Sequence, residues 1–205
     1  MRKFWILLFF FISLNIKAQF EVGLNTGISF NHTNKSDERF YSFGNYTSFY
    51  PEINAGYSFG NHWSIHGGLG FSSKGYKVIP GSEIPDEKEA YCKFRYFSLP
   101  LSLTYGRSFK SFYGKLSAGF QPNFIYRQNT PLRYEEDFRQ MNLTVGLLLG
   151  AEIGYRLSEQ LRLHIAYRYT PDLNDADKLE FQGRFRSNIM MVGVTYVIER
   201  LKQKM

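Results

Sequence analysis

Between Met141 and Tyr169 the chain alternates large apolar residues with small or polar ones in two successive runs, and few folds can use such a repeat. In the first run Leu143, Val145, Leu147, Leu149, Ala151, Ile153 and Tyr155 occupy odd positions. Thr144, Gly146, Gly150, Glu152 and Gly154 fall between them, and Leu148 is the one large apolar residue on that side. After 156–160 the pattern resumes, with Leu161, Leu163, Ile165, Tyr167 and Tyr169 set against Arg162, His164, Ala166 and Arg168. Side chains on a strand alternate faces with period 2, so each run predicts a strand with one apolar and one polar face. The short turn makes the pair an antiparallel hairpin. Strands of globular proteins centre on about 5–6 residues. A strand that crosses a bilayer needs about 9–11 at its tilt, and both runs reach that length.

Six further runs share the pattern: Phe20–Phe30, Thr47–Phe59, Trp63–Ser72, Tyr91–Tyr105, Phe112–Tyr126 and Arg186–Ile198. Phe94 and Tyr96 fall on the opposite parity from Phe97, Leu99, Leu101 and Leu103, which predicts a β-bulge near Tyr96. Pro100 interrupts that strand by removing a ladder donor. The connections run long, short, long, short, long, short, long. Outer-membrane barrels have this asymmetry, with short periplasmic turns and long extracellular loops. The expected fold is therefore all-β: an eight-stranded antiparallel up-and-down transmembrane β-barrel with both ends in the periplasm.

Arg2 and Lys3, the apolar run Phe4–Leu14 and Asn15-Ile16-Lys17-Ala18 form a secretory signal peptide pattern, with cleavage expected after Ala18. Residues 19–205 then form one barrel domain. Loss of Arg2, Lys3 and Lys17 takes the formal charge from +7 to +4, which calls for no nucleic-acid partner. Cys92 is the only cysteine, so no intrachain disulfide is available.

Alternation alone would also suit a periplasmic lipocalin-like barrel that binds an apolar ligand inside. The polar face discriminates, because it carries Gly23, Gly27, Gly56, Gly68, Gly70, Gly119, Gly146, Gly150, Gly154 and Gly193. Small residues suit the narrow lumen of eight strands, which side chains just fill. The apolar face ends in aromatics beside the short turns (Tyr57, Trp63, Tyr105, Phe112, Tyr155, Tyr196) and towards the long loops (Tyr126, Tyr167, Tyr169). Bilayer interfaces favour such girdles.

Tyr96-Phe97-Ser98-Leu99-Pro100-Leu101 with Leu103-Thr104-Tyr105-Gly106, and Gly150-Ala151-Glu152-Ile153-Gly154-Tyr155 with Leu161-Arg162-Leu163 and Tyr167-Arg168-Tyr169, resemble the PorT-like outer-membrane β-barrel family. The resemblance runs from about Gln19 to Ile198 and rests on fold-like motifs. It implies an eight-stranded barrel of the OmpX/OmpA-like type in the outer membrane of a Gram-negative bacterium, and the family's name points towards protein secretion.

Parity places Glu21, Glu52, His66, Lys115, Glu152, Arg162, His164 and Arg168 on the lumen face. Buried charges must be paired, so these residues predict a structural charge network. A turn centred near Ser158 would set Glu152 directly across from His164, with Arg162 one step along, and Glu152 is expected to pair with one or both. No nucleophile motif accompanies His32, His62, His66 or His164, which disfavours a lipid-modifying barrel enzyme. No spacing suits a metal, and no cofactor is expected. Phe40, Tyr41, Phe43 and Tyr46 form a candidate interaction patch in the first long loop. The reading is a monomeric, non-catalytic barrel in contact with outer-membrane lipids, whose long loops meet an extracellular or cell-envelope protein.

Overall fold

The computed structural model describes residues 19–33, 41–59, 61–80, 90–129, 143–174 and 184–198. The expected signal peptide, Phe40 of the loop patch and the charged tail after Ile198 lie outside them. The strands are β1 (Gln19–Thr33), β2 (Tyr41–Gly44), β3 (Tyr46–Phe59), β4 (Trp63–Pro80), β5 (Ala90–Ser98), β6 (Leu101–Phe109), β7 (Phe112–Asn129), β8 (Leu143–Arg156), β9 (Leu161–Pro171) and β10 (Phe185–Ile198). Strands that follow one another around the sheet pair antiparallel, and β1 also pairs with β10 over Phe20↔Ile198 to Thr33↔Phe185. The sheet closes on itself. In a bilayer core, where water cannot satisfy the backbone, closure gives every spanning strand a partner on both sides.

Ten strands make eight staves, because two staves are each divided once. β2 and β3 flank Asn45, and the ladder to β4 changes register by one residue across that break, from Gly44↔Lys77 to Glu52↔Gly70. Over the gap, side chains replace the ladder: Asn31 Nδ2 and Ser48 Oγ both donate to the Ser73 carbonyl, at 3.1 and 2.6 Å. β5 and β6 flank Leu99-Pro100. Here the register is unbroken, since Ser98↔Gly70 and Leu101↔Gly67 continue one count. The Pro100 carbonyl still accepts from the Gly68 amide at 2.9 Å, and Leu99 donates to the Pro122 carbonyl at 2.8 Å. Pro100 thus removes one donor without ending the stave.

The bulge expected at Tyr96 takes a different form. Cys92, Phe94, Tyr96 and Ser98 all face inward, so this strand keeps its parity throughout. The irregularity falls across the ladder: Arg95 faces Arg127 while Tyr96 faces Ile125, which leaves Tyr126 as the additional residue on β7. Phe94 and Tyr96 are apolar lumen residues, and apolar side chains on the lumen parity imitate a slip. Several staves also outrun the expected boundaries: β4 reaches Pro80 and β7 reaches Asn129. Their far ends form ladders beyond the apolar band, and the connections begin later than the sequence pattern suggested.

The outer face carries a continuous apolar band, with charged residues such as Arg95, Arg107 and Arg186 only towards its edges. Leu24, Phe49, Ile53, Ile65, Leu116, Ile153, Ile165 and Val192 are exposed on it. Trp63 packs edge-on to Tyr105 and Phe112 to Tyr155 near the short turns, while Phe71, Phe97 and Tyr126 form a second group towards the long connections. Trp63 and Phe71 lie eight residues apart on β4, a contour of about 26 Å and roughly 20 Å along the normal at barrel tilt. That span matches a thin hydrocarbon layer. The lumen face is polar and tightly filled. Large residues on it repeatedly meet a glycine across the ladder, as where Tyr113 faces Gly154, His164 faces Gly193, and His66 faces Gly56. A methyl group on Gly154 would overlap the Tyr113 ring, and one on Gly193 would overlap His164 Nε2.

Candidate functional site: a side-chain-filled lumen

Three storeys of polar side chains cross the barrel. Nearest the short turns, Glu21 from β1 receives Lys115 Nζ at 2.8 Å and His66 Nε2 at 3.2 Å on one oxygen, and Arg162 Nη1 at 3.3 Å on the other. Lys115 also approaches Glu152, at 3.6 Å. Both Lys115 and Arg162 lie over the Tyr113 ring, 5.4 and 5.7 Å from its centroid. The residues come from staves that the sequence separates widely, so this storey ties opposite walls together.

At mid-height the pairing is tighter. Arg168 grips Glu52 with both terminal nitrogens, at 2.5 and 3.1 Å, and Tyr50 donates to the same carboxylate at 2.7 Å. Asn25 Nδ2 completes the set at 3.1 Å from Glu52 Oε1. The Asn25 carbonyl oxygen then accepts from His164 Nε2 at 2.8 Å, which assigns the ring proton to Nε2. Glu52 is nearly inaccessible and fully satisfied, which a buried carboxylate requires.

Towards the long connections, Ser72, Ser98, Asn123 and Gln121 form a chain of hydrogen bonds, and Ser187 donates to Asn31 at 2.7 Å. Above them Lys74 and Asp172 form a fully buried ion pair at 2.5 Å, 98 residues apart in sequence. Asp172 is drawn inward by its amide bond to the Phe185 carbonyl and by its bridge to Gly146. Tyr76, Cys92, Phe94, Tyr96 and Phe185 pack beside the pair as an apolar plug.

Glu52, His66, Lys115, Glu152, Arg162, His164 and Arg168 all face the lumen. Their partners differ from the sequence reading. Glu152 stands opposite Ala166 and not His164, while Arg162 reaches Glu21. The cause is local: Leu157 and Ser158 both donate to the Leu161 carbonyl, and Ser158 Oγ accepts from the Leu161 amide. This sets the turn one position later and moves each cross-strand partner by two residues. Asn25 and Tyr50 share the lumen parity but carry no charge, so a search for paired charges does not single them out. Lys74 and Asp172 lie in stretches whose sequence is polar enough to resemble connections, so parity gives them no lumen position. In the loop patch, Tyr41 and Phe43 belong to β2, opposite Pro80 and Val78. Tyr46 is half-buried, with its hydroxyl 3.5 Å from Ser73 Oγ and the Lys93 ammonium 5.6 Å from its ring centroid.

The model of the outer membrane protein beta-barrel domain family matches residues 14–178. The chain belongs to that family. Three solved structures share the architecture of this outer-membrane barrel. OprG from Pseudomonas aeruginosa superposes with a TM-score of 0.60 at 12% identity, covering 88% of this chain and 96% of its own. The outer membrane protein AlkL in lipid bilayers gives 0.51 at 15%, covering 93% and 94%. Neisserial surface protein A gives 0.50 at 17%, covering 87% and 97%. At these identities the likeness is one of fold. No curated protein matches the chain.

Proposed function

We propose that this outer-membrane barrel is a non-catalytic, monomeric platform. Its lumen is a structural bolt and conducts no solute, and its long connections carry the interactions. The filled lumen carries this reading: the space left at mid-height is a cavity of about 60 Å³ between Glu52, His66, Lys115 and Arg168, room for a few waters. The Lys74–Asp172 pair and the apolar plug close the lumen above it. Export through a cleaved leader at residues 1–18, and orientation with the short turns in the periplasm, belong to the same reading. Purified barrel reconstituted in planar bilayers is expected to give no resolvable current steps. Steady, ion-selective steps from the wild-type chain would overturn the platform reading.

The PorT-like resemblance adds an association with protein secretion, through a cell-envelope protein that meets the segment containing Phe40, Tyr41, Phe43 and Tyr46. Replacing 34–45 with a short turn is expected to leave a heat-modifiable barrel but to retain exported cargo inside the cell. Unchanged export from such cells would remove the secretion reading and leave the barrel itself intact.

A further inference from the structure

Among the described residues, the buried lumen charges above the short-turn mouth are paired one to one. At mid-height one guanidinium meets one carboxylate in a two-pronged grip, and near the top one ammonium meets one carboxylate. At the mouth a cavity of about 130 Å³ is lined by Arg107, Arg156, Arg162 and Lys115, with Glu21 the one carboxylate in its wall among the described residues. Glu21 is already shared by Lys115, His66 and Arg162. Arg107 shares the outward parity of Leu103 and Tyr105 and lies over the Phe109 ring, so, counting Glu152, which touches Lys115 from beside the cavity, three lumen cations face two carboxylates.

The two arginines are also placed against each other. Arg156 and Arg162 are direct cross-strand partners where β8 turns into β9, and both side chains lie on the lumen face. Like charges set opposite each other on one face of a ladder repel. Among the described residues Arg156 has no acid partner: its guanidinium donates to the neutral hydroxyl of Ser108. The Nε atoms of both arginines are buried without an acceptor. Unsatisfied guanidinium donors beside a polar cavity are costly unless a further acceptor enters.

We infer that this mouth is a binding site for a phosphate-type oxyanion, held between Arg156 and Arg162 with Lys115 as the third donor. Two planar forks and an ammonium match a tetrahedral oxyanion with several acceptor oxygens better than they match a single carboxylate. The cavity has room for one phosphate group. Trp63 lines the same cavity and belongs to the aromatic girdle, so the site opens at the level of lipid headgroups. The phosphate can therefore come from a phospholipid headgroup or from free phosphate, through the same contacts.

The test uses purified barrel, so it does not depend on orientation in the cell or on whether the lumen conducts. Melting is followed in phosphatidylcholine nanodiscs with inorganic phosphate, against chloride at equal ionic strength. Native mass spectrometry reads phosphatidylglycerol retained after delipidation. Phosphate is expected to raise the melting temperature of the wild type and not that of Arg156→Gln/Arg162→Gln, and this outcome assigns free phosphate. Retained phosphatidylglycerol on the wild type, at least tenfold above the double variant, assigns the headgroup. Arg156→Gln alone supplies a second readout: without phosphate or anionic lipid it melts no lower than the wild type, because a repulsion has gone. If neither ligand distinguishes the wild type from either variant, the site does not exist. An Arg156→Gln melting temperature well below that of the ligand-free wild type also overturns the inference, since Arg156 would then be structural.

Discussion

Glu52 shows what one buried charge demands of its surroundings. Four donors from Arg168, Tyr50 and Asn25 converge on it, and all come from inside the barrel wall. Arg168→Ala is expected to lower stability by about 3–5 kcal/mol, because it leaves the carboxylate buried and unpaired. Removing both charges, as Glu52→Gln with Arg168→Met, is expected to recover most of that loss. Urea unfolding in detergent, with the folded fraction read on unheated gels, compares the three chains. A single variant as stable as the wild type would show that water replaces the guanidinium. Gly154 supplies the opposite kind of constraint, an absence of atoms. Gly154→Ala forces the Tyr113 ring to move and is expected to cost about 1–3 kcal/mol. Combining it with Tyr113→Leu should restore the wild-type midpoint.

At the scale of the strand, Pro100 offers a clean comparison. It faces Gly68 in the ladder and returns one of the two hydrogen bonds that such a pair exchanges. Pro100→Ala supplies the second donor, so the amide introduced at position 100 is expected to be strongly protected in hydrogen exchange. Stability should change by no more than about 1 kcal/mol, as the new bond offsets lost ring packing. Fast exchange at that position would mean that the stave is broken there. Strand existence and facing were legible in the sequence because lipid and lumen select opposite side chains at alternate positions, as β8 shows with Leu148 as its one exception. Register was not legible. Moving the β8–β9 turn by one position preserves every facing and every backbone bond, yet it takes His164 from Glu152 to Gly154. Phe94 and Tyr96 misled for a related reason, since alternation reports which way a side chain points only while the lumen stays polar.

For the whole molecule, closure between β1 and β10 and the apolar outer face make detergent-resistant folding the central expectation. The chain should migrate differently before and after boiling. In the barrel domain produced as residues 19–205, Trp63 is the only tryptophan, and it stands in the girdle beside the short turns. Its fluorescence is expected to be quenched more strongly by a shallow lipid-borne quencher than by one at the bilayer centre. Stronger quenching from the centre would misplace the membrane on the barrel.

The glycines opposite Tyr113, His164 and His66 also bear on how such a chain can close without error. Backbone pairing and lipid exposure are indifferent to a slip of two residues. A slip of that size would drive Tyr113 into Glu152 or Arg156, and His164 into Met191 or Thr195, where the correct alignment offers a hole. Bulk and vacancy are thus distributed along the inner wall like the wards of a lock. Misaligned neighbours meet bulk instead of space, so in these three pairings shape selects the register on which closure of β1 against β10 depends.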